Sequence, residues 1–197
     1  MKIGFIGAGN VAQTLSRHFM QAGHEAILSN SRGPETLSGL IRQLGPRSSA
    51  GTNIDAAAAE VVILATPWAK VPEALKGIHW KDKILVDTTN HFDSTFKVIQ
   101  LGNKTGSEIV AEFALGAKVL KAFNHVVTSW IQEVPADMNT VLFVAGDDLE
   151  AKTKLLEIIR SARFHAVDVG SLKSGGSLLQ LGGGLNGRLL KIAERYK

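Results

Sequence analysis

The chain predicts an α/β fold built on a doubly wound, mainly parallel sheet, and three observations predict it. Short apolar runs rich in β-branched residues recur along the 197 residues. Stretches with helical spacing separate most of them, and parallel neighbours need such crossovers. The first run, Ile3-Gly4-Phe5-Ile6, breaks directly into Gly7-Ala8-Gly9-Asn10-Val11-Ala12, a GxGxxA pattern that opens a helix.

That first unit explains itself residue by residue. Ile3, Phe5 and Ile6 supply strand-forming bulk and Gly7 allows a tight turn. Gly9 lets the backbone approach a pyrophosphate, and Ala12 keeps helix and strand close. From Asn10 the helix presents its first N–H groups and positive dipole end to the phosphates, with Val11, Leu15 and Phe19 spaced for packing. A strand at Glu25–Ser29 follows the turn at Gly23-His24. An NAD site would place an acid about 20 residues beyond the glycines, to accept hydrogen bonds from the ribose. Here Ser29 is followed by Asn30, Ser31 and Arg32. Neutral donors beside a guanidinium suit a phosphate dianion, so NADP(H) is expected over NAD(H). The alternative is a solvated Arg in an ordinary loop.

Gly33-Pro34 opens a second helix through about Leu44, with Leu37, Leu40, Ile41 and Leu44 on one face. A weak strand near Arg47–Thr52 and a small helix at Asn53–Ala59 come next. Val61–Ala65 reads as a strand buried on both faces. Thr66, Pro67 and Trp68 end it at the carboxyl edge, where open α/β sheets hold ligands. Trp68 there either flanks the nucleotide or caps the core. A helix at Val71–Lys76 and a strand at Lys83–Asp87 lead to Thr88-Thr89-Asn90-His91, where Asn90 is placed to meet the nicotinamide ribose or carboxamide. Asp87 is expected to bond local backbone. A helix at Ser107–Leu115, a strand at Lys118–Phe123 and the loop Asn124-His125 follow. Strands at Thr140–Ala145 and Phe164–Val169 then flank a helix at Leu149–Ala162. Gly170–Gly187 is rich in glycine, serine and leucine, and its leucines predict that it packs back on the domain as a folded loop. Arg188–Tyr196 reads as a last helix.

Composition narrows the function classes. A chain of this length with 45% hydrophobic content fits a single domain, with residues 1–169 the nucleotide-binding body and residues 170–197 an extension packed on it. No cysteine occurs, which excludes disulfides, thiolate metal sites and cysteine nucleophiles. The six histidines lack metal-ligand spacing, and no GxSxG elbow is present, so no metal site is predicted. Lys and Arg are scattered, aromatics are few and no apolar run approaches a membrane span. A cytoplasmic protein without nucleic-acid or membrane partners is expected. The net charge of +4 suits an anionic small molecule.

Taken as a set, GAGNV, NSRGP, ATPW, TTN, KAFN, AGDD and VDVGSL resemble the NADPH-dependent coenzyme F420 reductase family, whose relatives include the cytosolic domains of six-transmembrane metalloreductases. The similarity spans nearly the whole chain. It implies a Rossmann-type domain, NADP(H) held by Ala8, Gly9, Asn10, Val11, Ser31, Arg32, Pro67 and Trp68, and a second flat cofactor beside the nicotinamide. Some members carry a basic residue after the serine-arginine pair, where this chain has Glu35 and Thr36, and the glycine-rich tail departs from the shorter segment of F420 enzymes.

The expected function is therefore hydride exchange between NADP(H) and a small-molecule redox acceptor, F420 or a flavin, which demands ring stacking at about 3–3.5 Å more than a protein acid. No separate substrate domain fits in the length, so the acceptor is expected against the sheet edge, under Ser171–Gly187 or across a homodimer contact. His125, after a strand at that edge, is the one catalytic candidate, as a hydrogen-bond donor to the acceptor. Two alternatives stand: a non-catalytic NADP(H) sensor, and a small imine or carbonyl reductase.

Overall fold

Val61-Val62-Ile63-Leu64 and Ile84-Leu85-Val86-Asp87 have no exposed position, as strands covered on both faces require. The structure, a computed structural model describing residues 1–132 and 139–193, makes them β4 and β5. With β1 (Lys2–Ile6), β2 (Glu25–Ser29), β3 (Ser48–Ala50) and β6 (Lys118–Ala122) they form a parallel sheet. The spatial order is β3-β2-β1-β4-β5-β6, so the sheet reverses direction of winding between β1 and β4.

β7 (Thr140–Gly146) joins β6 antiparallel, Leu120 opposite Gly146 and Ala122 opposite Val144, and β8 (His165–Asp168) follows it in parallel. Along this order the sheet is thus mainly parallel, with one reversal between β6 and β7. Among the described residues between β6 and β7 only a 3₁₀ turn, Thr128–Ile131, has helical form, and without a helical crossover a parallel return is not made.

Helices cover both faces. α1 (Asn10–Gln21), α2 (Ser38–Leu44) and α6 (Leu149–Ser161) pack on one side through residues such as Leu15, Phe19, Leu155 and Ile159. α2 is preceded by a 3₁₀ turn at Pro34–Leu37, so the single helix expected here is made in two pieces. α3 (Asn53–Ala57), α4 (Val71–Leu75) and α5 (Gly106–Phe113) cover the other side. α3 sits so close to β1 that a Cβ at Gly4 would lie 1.9 Å from the Ala56 carbonyl oxygen.

The tail packs on the same body. α7 (Ser174–Leu179) lies over β7, with Leu179 buried against Val141, Phe143 and Ala145. Gly175 is what permits the approach: a Cβ there would stand 2.6 Å from the Val169 carbonyl and 2.8 Å from the Ala145 Cβ. One expectation is corrected. Arg188–Tyr196 is not a helix over its described part; Leu190–Lys191 is β9, antiparallel to Thr140–Val141, and residues 194–196 lie outside the described residues. β6 ends at Ala122, where Phe123 takes a left-handed φ of 65°, and this leaves the start of β7 free to pair with the tail.

Candidate functional site

The carboxyl ends of β1, β2 and β4 border an open cleft of about 990 Å³. Gly7, at φ 119°, has no room for a side chain, since a Cβ would meet the Ala65 carbonyl oxygen at 2.1 Å. Its job is to let β1 turn tightly against β4. Gly9 is the opposite case: nothing lies within 4 Å of where its Cβ would point. It is the N-cap of α1, contributes no side-chain cap, and no acid stands in the first turn. The helix therefore offers uncapped N–H groups and its positive dipole end to the open side of the loop, an arrangement suited to phosphate. Gln13 folds back to donate from Nε2 to the Ala8 carbonyl at 2.9 Å, which steadies the loop.

Beyond β2, the Asn30 side chain shapes the loop. Its Oδ1 accepts from the Arg32 N–H at 2.9 Å and its Nδ2 donates to Thr36 Oγ1 at 2.9 Å, while Thr36 Oγ1 donates to the Gly33 carbonyl. Ser31 and Arg32 are left exposed on the cleft wall, and among the described residues no carboxylate forms an ion pair with Arg32. Lys70, paired with Glu73 at 3.4 Å, lines the same cleft. Ser29 is buried and fixes the strand end, its Oγ lying 2.9 Å from the Phe5 carbonyl and 2.8 Å from Asn53 Oδ1. Asn53 in turn donates to the Ala74 carbonyl, joining β2 to α4.

Of the residues singled out from sequence, Gly7, Ala8, Gly9, Asn30, Ser31, Arg32, Thr66 and Pro67 line this cleft. Four do not. Asn10 is exposed on the first turn of α1 and Val11 packs on the core. Trp68 packs against the α4–α5 core with its ring edge-on to His91, centroids 6.1 Å apart. Asn90 sits further along the edge, exchanging hydrogen bonds with Asn124: Asn90 Nδ2 donates to the Asn124 carbonyl at 3.2 Å, and Asn124 Nδ2 donates to Asn90 Oδ1 at 3.1 Å. His125 is 1% exposed, its Nε2 accepting from the Phe143 N–H at 3.4 Å; burial, aided by the Lys121 cation, lowers its pKa to about 4. It stands behind the edge as a neutral ring. Gln13, Thr36, Asn53 and Lys70 were not anticipated, because nothing in their spacing distinguishes them from ordinary helix and loop polar residues.

The tail reaches this edge through its second half. The Leu179 carbonyl accepts from Asn124 Nδ2 at 2.7 Å and Asn186 Nδ2 at 2.8 Å, Gln180 Oε1 accepts from the Gly106 N–H, and the Gly187 N–H donates to the His125 carbonyl. Gly175 and Gly176 instead face β7, β8 and Thr105, so the part of Ser171–Gly187 that borders the edge begins at Leu179.

Comparison with known proteins agrees with this geometry. The model of the family described as "NADP oxidoreductase coenzyme F420-dependent" matches residues 2–91. An F420-dependent NADP reductase from Methanothermobacter thermautotrophicus is 32% identical over 195 residues, covering 88% of this chain and 83% of that protein. The chain belongs to the coenzyme F420-dependent NADP oxidoreductase family. Metalloreductase STEAP3 from Rattus norvegicus is 30% identical over 88% of this chain, which spans about a third of that longer protein, 34%. A hypothetical protein from Sinorhizobium meliloti has a closely similar structure, with a TM-score of 0.91, 35% identity, and coverage of 98% of this chain and 96% of that one. The chain has a Rossmann-type nucleotide-binding fold, in keeping with membership of that family. Among the described residues no helix is long and apolar enough to cross a membrane.

Proposed function

We propose that NADP(H) lies across the carboxyl ends of β2, β1, β4 and β5 and exchanges hydride with a flat second cofactor, F420 or a flavin, presented as a small-molecule redox acceptor. The observation that carries this reading is the pairing of two neighbouring features. One is the uncapped α1 N-terminus behind an open Gly9; the other is an exposed Arg32 at the end of β2, where an NAD site would have an acid. On this reading the chain's own residues would hold the dinucleotide in three parts. The Gly7–Val11 turn would receive the pyrophosphate, Ser31 and Arg32 the 2′-phosphate, and Thr66, Pro67 and Asn90 the nicotinamide half.

When bound, the reduced nicotinamide supplies the hydride. The protein's part is to hold two rings in register and keep water from between them, which needs shape more than a proton donor. The Asn90–Asn124 pair and the tail from Leu179 to Gly187 border that end. The choice of F420 rests on the likeness to the Methanothermobacter F420-dependent NADP reductase. The test is a screen of F420, FMN, FAD and ferric chelates for acceptor-dependent loss of NADPH absorbance. F420 or a flavin is expected to support turnover. NADPH binding with no acceptor active would replace hydride transfer with a sensing role.

A further inference from the structure

At the carboxyl ends of β5 and β6 lies a buried ion pair that is not part of the cleft lining. Lys121 of β6 and Asp87 of β5 are 2% and 0% exposed, with Nζ 2.9 Å from Oδ2. Both groups make further hydrogen bonds. Asp87 Oδ1 accepts from the Thr89 N–H at 2.8 Å and from Thr89 Oγ1 at 2.6 Å, and Oδ2 also accepts from Ser107 Oγ at 2.6 Å. Lys121 Nζ donates a second bond, at 2.5 Å, to the Thr89 carbonyl. Thr89 is thereby held at its N–H, its hydroxyl and its carbonyl by one pair of side chains. The next residue is Asn90.

A buried ion pair is a poor device for stability alone, because apolar residues of similar volume commonly do as well or better at such positions. What the pair supplies that apolar side chains cannot is a fixed path for Thr88–His91. We propose that Lys121 is a positioning residue: through the Thr89 carbonyl it sets the backbone that aims Asn90 at the nicotinamide end of the cleft. This rests on the NADP(H) reading of that cleft. Asn124 fixes the Asn90 carboxamide from the side, while Lys121 fixes its backbone from below.

The test separates aim from stability. Lys121→Met alone strands a buried carboxylate and is expected to lower the melting temperature. The double variant Lys121→Met with Asp87→Asn removes both charges, yet keeps an oxygen for the Thr89 N–H and hydroxyl. It is expected to melt within a few degrees of wild type. Its amide hydrogen exchange at Phe92, whose N–H donates to the Asn90 carbonyl, should quicken at least tenfold while β5 stays protected, and kcat with the best acceptor should fall at least tenfold with NADPH affinity within threefold of wild type. Wild-type exchange in the loop, or unchanged kcat, would overturn the proposal. So would a loss of activity that only tracks the loss of folded protein. A wild-type chain that turns over no acceptor would count against the proposed function, and the exchange result would still decide the role of Lys121.

Discussion

At the residue scale, two glycines of one motif have opposite tasks, and substitution should tell them apart. Gly7 is confined by the Ala65 carbonyl and by its positive φ, so Gly7→Ala should destabilise the fold on the scale of overpacking, about 1–3 kcal/mol or more. Gly9 has an extended backbone, φ −77° and ψ −172°, and open space in front of it. Gly9→Val should therefore keep the wild-type melting temperature while NADPH binding disappears, because the branched side chain enters the space in front of the helix terminus. Denaturation and calorimetry on the same two variants check both halves. A Gly9→Val protein that still binds NADPH would place the phosphates elsewhere.

Legibility at this scale followed the backbone's own demands. The glycine turn and the acid-free end of β2 were visible in sequence because a turn, a helix terminus and a phosphate each ask for particular residue types. Gln13 and Asn53 were not visible, since a carboxamide that braces a loop looks in sequence like any surface amide. Lys121 stands on a strand whose other residues after Lys118 are apolar, and its partner Asp87 was expected only to bond nearby backbone; the link between them exists only once β5 and β6 lie side by side.

At the scale of elements, the alternation of strands and helices was enough to predict a doubly wound, mainly parallel sheet. The reversal at β7 and the fate of the last segment were not. Leu189, Leu190, Ile192 and Ala193 are spaced as in a helix, but the unpaired start of β7 offers backbone hydrogen bonds that outweigh propensity there. The Ile192 N–H donates to the Asn139 carbonyl at 2.9 Å, continuing that pairing. The tail's packing gives a prediction of its own. Gly175→Val should push α7 off Ala145 and Val169, lowering stability by about 1–3 kcal/mol in chemical denaturation. An unchanged midpoint would mean that α7 does not bear on the sheet as described.

For the molecule as a whole, the buried histidines predict how stability depends on pH. Burial lowers the pKa of His125 to about 4 and also lowers those of His18, His24 and His91. The unfolded chain, with histidines near 6.5, then binds protons before the folded one does. Stability from these groups is complete above pH 6.5 and is lost as pH falls toward 4, with His125 alone accounting for a change on the order of 3 kcal/mol. Urea midpoints measured from pH 7.5 to 4 should fall, and should fall less steeply in His125→Leu, whatever its stability at neutral pH. Parallel slopes for the two proteins would mean that His125 titrates normally.

The central claim is that this cleft is built for a 2′-phosphorylated dinucleotide, and titration calorimetry with NADPH and NADH tests it most directly. Wild-type protein should bind NADPH at least tenfold more tightly than NADH. Arg32→Ala should lose about 1.5–3 kcal/mol of NADPH affinity, the scale of hydrogen bonds to a charged group, and leave NADH unchanged. Equal affinities for the two nucleotides, or an Arg32→Ala protein that still prefers NADPH, would contradict the account.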